Sequence, residues 1–125
     1  MTPREARTQL AQDLRAGLPD WSVSPSPVVG PPKPPAIVLA PRPTYLQQGT
    51  SCTWEMRLTV TLAVGIHARE DGMDTLDDAV QDAISVILRS AVLTTVDTVS
   101  DLVQRQEAGG VEYMTATIQS TSYIT

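Results

Sequence analysis

The feature that most constrains this chain is an unbroken alternation. Cys52, Trp54, Met56, Leu58, Val60, Leu62, Val64 and Ile66 are apolar, and Thr53, Glu55, Arg57, Thr59, Thr61, Ala63, Gly65 and His67 stand between them. A period of two over this length means a strand with one buried face, because successive side chains on a pleated backbone point to opposite sides. At about 3.3 Å per residue the strand reaches roughly 50 Å. A single domain of 125 residues has a radius of gyration of only about 14 Å, so part of the strand is expected to project. The aliphatic run Ala36 to Leu39 lies between Pro35 and Pro41 and continues past Pro43, which confines it to a sheet edge. With a turn at Gln47 to Thr50, residues 36 to 66 read as a long hairpin whose tip stands clear of the body.

Helix signals flank this hairpin. Thr2 as N-cap, Pro3 in the first turn and Glu5 three residues after Thr2 form a capping box, and Ala6, Leu10, Leu14 and Leu18 recur every four residues. Gly17 is expected to end that helix in a left-handed conformation. A short extended segment, Trp21 to Val23, precedes a loop over 24–35 that holds six prolines in twelve residues and can be neither helix nor central strand. A second helix is expected from Asp74, capped by its own carboxylate, with Leu76, Val80, Ala83, Ile84, Ile87, Leu88 and Ala91 as its apolar stripe. Two last strands, about Val99 to Gln106 and Val111 to Ile118, flank a glycine turn at 107–110. The order is α-β-β-β-α-β-β. Short turns favour antiparallel pairs, so the economical fold is one two-layer α+β domain over 1–125. Its sheet is mainly antiparallel, with four to five strands, both helices on one face and the projecting hairpin.

Composition excludes several functions. Nine Lys and Arg against fourteen Asp and Glu leave a net charge of −5, opposite to the footprint of a phosphate-gripping protein. No Phe, two Trp and three Tyr leave little for stacking bases. The charge is uneven, +2 over residues 1–45 and −7 over 46–125. The one cysteine, Cys52, cannot form an intramolecular disulfide, which suits a reducing compartment. The first residues mix charges without an apolar core, and no apolar run approaches the roughly 20 residues of a spanning helix, so neither a secretory signal nor a membrane partner is expected.

Candidate chemistry is sparse. Glu70, Asp71, Asp74, Asp77, Asp78 and Asp82 form an acidic run without a base, but it lacks the alternating ligands and central glycine of a calcium loop. Helix capping, dipole compensation and a solvated acidic face account for it. An anionic wall that repels DNA is the functional alternative. His67 is the only histidine and lies on the opposite strand face from Cys52, so no metal site is expected. Neither a nucleophile elbow nor a nucleotide-binding glycine motif occurs. No catalytic residue and no cofactor are therefore assigned, and an enzyme is the least favoured class. Pro31 to Pro35 contains a PxxP frame, more simply a stiff loop than a docking peptide. The small uncharged residues Thr59, Thr61, Ala63 and Gly65 suit either close packing by a neighbour or plain β-propensity.

An N-terminal capped helix, a Pro-rich passage into Ala36-Ile-Val-Leu39, the strand Trp54 to Leu62, the helix Leu76 to Leu88 and a final strand Gly110 to Ile118 together resemble the tail terminator proteins of long-tailed bacteriophages. The resemblance lies in the order and lengths of elements over nearly the whole chain, without a catalytic signature. It implies a structural virion protein, assembled in the host cytoplasm at the head-tail junction. Six copies would form a ring that caps the tail tube and ends its polymerisation. The implied partners are the chain itself, the tail tube protein and the head-tail connector protein, with DNA passing through the lumen without specific binding. Within that frame Arg42, Trp54, Arg57, Thr59 and Thr61 are the candidate subunit contacts, since Trp and Arg dominate interface energetics. Glu70, Asp71, Asp74, Asp77 and Asp78 are the candidate anionic lumen surface. The alternatives are another neck component and, from a different class, a small cytosolic binding module.

Overall fold

The structure is a computed structural model that describes residues 1–27, 35–50, 52–65, 71–100, 103–106 and 112–125. Helix α1 spans Pro3–Gly17 and is followed by strands β1 (Ser22–Ser24), β2 (Ala36–Gln48) and β3 (Trp54–Gly65). Helix α2 (Asp71–Arg89) precedes β4 (Thr94–Val99), β5 (Val103–Gln106) and β6 (Glu112–Ile124). The strands lie in the order β1-β2-β3-β6-β4, and β5 also pairs with β6. Because β4 and β5 pair with successive stretches of β6, at Val99↔Ile118 and Val103↔Thr115, they share one strand position. The layout is the α+β order α-β-β-β-α-β-β. Among the described strands only β1 and β2 run parallel.

The inner face of the sheet follows the alternation. Met56, Leu58, Val60 and Leu62 are buried on β3, Ile37 and Leu39 on β2, and Ala116 and Ile118 on β6. They form one core cluster with Ala6, Leu10 and Leu14 of α1 and Leu76, Ala83 and Ile87 of α2, so both helices cover this face. Thr2 caps α1 as expected, its hydroxyl accepting from the Glu5 N–H at 3.1 Å. Arg15 and Arg7 of α1 donate to Val23 O at 2.9 Å and Pro25 O at 3.3 Å, which ties β1 to the helix.

Several boundaries differ from the sequence reading, each for a local reason. Helix α1 continues through Gly17 and is capped by Leu18 at φ −130°, so Gly17 is not a left-handed stop. It is instead a point of close approach, where an ideal Cβ would overlap Val86 Cγ2 of α2. Helix α2 begins a turn earlier, at Asp71, so Asp74 lies inside it rather than capping it. Leu88 falls about 100° round the helix from buried Ile87 and is 58% exposed. Cys52 belongs to the hairpin turn at φ 66°, and the strand starts at Trp54. The final strand runs six residues past Ile118 because the polar Ser120 and Ser122 face inward, where the Thr94 and Ser122 hydroxyls bond each other at 2.8 Å. Strand β6 accompanies β3 to Trp54↔Ile124, and outer β2 rejoins β3 from Leu46↔Met56 to Gln48↔Trp54, so the hairpin is paired within the sheet up to its turn. The 107–110 turn and most of the Pro-rich passage lie outside the described residues.

Candidate functional site

The two strands of the hairpin deliver two different surfaces. At the tip end the inner face runs out of helix to cover it. Leu46, opposite Met56, and Trp54, opposite Ile124, lie on that face just where α1 begins. With Met1, Pro3, Ile124 and Thr125 they line a pocket of about 250 Å³. Trp54 is 48% and Leu46 36% exposed, so the core ends here in an open apolar concavity.

The helix-free face of the sheet is different. Thr59 and Thr61 stand half-buried in its centre, opposite Gln119 and Thr117 of β6, and Thr59 Oγ1 donates to Ala40 O at 3.3 Å. Arg57 and Glu55, on the same face, approach to 3.7 Å. Arg42 follows Pro41, which faces inward opposite Leu58, and so lies on this face by alternation, at the start of an irregularity in β2 where Arg42 to Tyr45 stand opposite Arg57 alone. Its guanidinium pairs with Asp97 and also donates to Leu58 O at 3.3 Å, Ser120 O at 3.1 Å and Thr121 Oγ1 at 3.3 Å. The four charges described on this face are thus paired with one another, which leaves the middle around Thr59 and Thr61 neutral.

The candidate residues therefore fall into separate groups. Arg57, Thr59 and Thr61 share the helix-free face with Arg42, and Trp54 belongs to the opposite, apolar side at the tip. Arg42 is already engaged by four acceptors of its own chain, so a neighbour would have to displace them. Asp74, Asp77 and Asp78 are exposed on α2, and neither of the two ion pairs among the described residues involves them. Glu70 lies outside the described residues, as does the side chain of Asp71. Among the described residues no group of three His, Cys, Asp or Glu side chains is arranged as metal ligands. No described helix is long and apolar enough to cross a membrane.

Sequence reasoning missed Asp97, Leu46 and Ile124. Asp97 carried a signal, a lone acid within the β-branched run Thr94-Thr-Val-Asp-Thr-Val99. Leu46 and Ile124 carried none, because only strand register places them beside Trp54. A second concavity, about 490 Å³, opens between the helices, where Asp13 accepts from Gln9 Nε2 at 3.0 Å and from the Ser90 hydroxyl at 2.5 Å.

The class these features define is a two-layer α+β domain with an open apolar end and a neutral sheet face. Comparison with protein-family profiles and with characterised proteins finds no match to the chain.

Proposed function

We propose that this protein is a structural subunit that closes into a ring of its own copies, in the manner of phage tail terminators. The ring would cap the tail tube, stop its growth and offer its other face to the head connector. The observation that carries the reading is the concavity at the hairpin tip. Trp54, half exposed beside Leu46, Met1 and Ile124, is a large apolar anchor left without a cover in the isolated chain. The neutral, Thr-rich sheet face supports it as a second surface that a neighbour meets without desolvating unpaired charge. In a ring both surfaces repeat around the axis, so weakening one contact weakens all of them.

Light scattering with negative-stain imaging tests this over a wide concentration range, with Trp54→Ala alongside. The expected result is uniform rings with a central channel for the native chain, and monomers with unchanged far-ultraviolet dichroism for Trp54→Ala. Monomers at every concentration, together with tail tubes that keep growing in the protein's presence, overturn the proposal. The cleft between the helices favours a second reading, a monomeric binding module. That reading predicts a ligand-dependent rise in stability in place of rings.

A further inference from the structure

Two irregularities on strands at opposite sides of the sheet are aimed at one point. In β2 the register slips between Pro41 and Leu46, and in β4 it slips between Val96 and Thr98, which makes Asp97 the extra residue. Strands β3 and β6 lie between β2 and β4; alternation after inward-facing Pro41 and Val96 puts Arg42 and Asp97 on the helix-free face, where the long Arg42 side chain reaches across both central strands to Asp97 at the bulge. The meeting is reinforced. Thr121 Oγ1 donates to Asp97 Oδ2 at 2.7 Å while accepting from Arg42, and Thr95 Oγ1 reaches Asp97 Oδ1 at 3.4 Å. Arg42 also holds the carbonyls of Leu58 and Ser120, one on each central strand. A single side chain thus spans the sheet from β2 to β4.

What hangs from Arg42 is the outer part of β2. Beyond it the chain rejoins β3 over only three pairs, Leu46↔Met56 to Gln48↔Trp54, with Tyr45 OH set against Met56 Sδ at 3.5 Å. Leu46 is also one wall of the concavity around Trp54. We propose that Arg42 and Asp97 form a clasp that sets the position of outer β2, and through it the opening between Leu46 and Trp54. Arg42 is then a positioning residue that shapes the apolar surface without touching it. The side chains of the pair are 19% and 37% exposed, so the clasp is open to competition from salt and from a partner's charges. It is a property of the isolated chain and stands or falls apart from ring formation.

Hydrogen exchange by mass spectrometry tests the clasp on the native chain and on Asp97→Asn, which keeps the shape and removes the charge. Peptides covering 44–48 should exchange about tenfold faster in the variant, while those covering 58–64 and 114–120 keep their native rates. In a Trp21→Phe background the emission of Trp54 should move to the red, and 1 M salt should drive the native chain the same way. Thr121→Val, which removes only the bridging hydroxyl, should give a smaller change at the same peptides. Native exchange at 44–48 in both variants overturns the clasp. So does a uniform rise across all peptides, or failure of Asp97→Asn to fold, since either would make the pair a global support.

Discussion

Gly17→Ala tests how α1 and α2 meet, and its sign distinguishes local from tertiary control. On propensity alone the substitution stabilises a helix by about 1 kcal/mol, because alanine has less backbone freedom to lose. In this fold the added Cβ would overlap Val86 Cγ2 and come within 3.6 Å and 3.7 Å of Val86 Cβ and Cγ1. Val86 cannot swing aside easily, since a β-branched side chain in a helix has one strongly preferred rotamer. Forcing a methyl into a packed contact costs about 1–3 kcal/mol. The clash wins over the propensity gain, and the variant should be less stable by up to about 2 kcal/mol. Urea unfolding followed by circular dichroism measures this, with Val86→Ala as the second arm of a double-mutant cycle. Against Val86→Ala the overlap is gone, so Gly17→Ala should stabilise by roughly 0.5–1 kcal/mol. A Gly17→Ala protein more stable than the native one, or an effect that Val86→Ala leaves unchanged, refutes the close approach.

Two further outcomes follow from named contacts. Ser122→Ala leaves the buried Thr94 hydroxyl without one partner and should cost about 1–2 kcal/mol in urea unfolding, whereas Thr94→Val with Ser122→Ala should recover much of it. A loss in the double variant equal to the sum of the two single losses would deny the coupling. Reversing Asp74, Asp77 and Asp78 to Lys tests the anionic lumen: in the ring reading phage carrying it should eject DNA more slowly, and unchanged ejection and infectivity would remove that assignment.

The strand from Trp54 to Gly65 was legible because its period matches the pleat so closely that only one face can be buried. The α1 cap was legible because capping is local chemistry within four residues. The C-terminal half of β6 was not. Ser120 and Ser122 break the alternation, and only tertiary partners satisfy their buried hydroxyls, Ser120 donating to Leu58 O at 3.4 Å and Ser122 bonding the Thr94 hydroxyl. The strand read over Val99 to Gln106 is two in the structure, β4 (Thr94–Val99) and β5 (Val103–Gln106), and the start of β4 was missed because its polar Thr-rich pattern is held only by pairing with β6, 19 to 28 residues along the chain.

The candidate site divides the same way. By itself the sequence determined the layers, the hairpin, the acidic helix and the presence of Trp54 and Arg42 on the hairpin, because periodicity, caps and composition are properties of neighbours along the chain. Tertiary structure alone decided that Trp54 shares a concavity with Leu46 and Ile124, that Arg42 is held by Asp97, and that Gly17 admits Val86. Each of these rests on register or helix crossing, which bring together residues from 8 to 70 positions apart, and no local pattern carries that information.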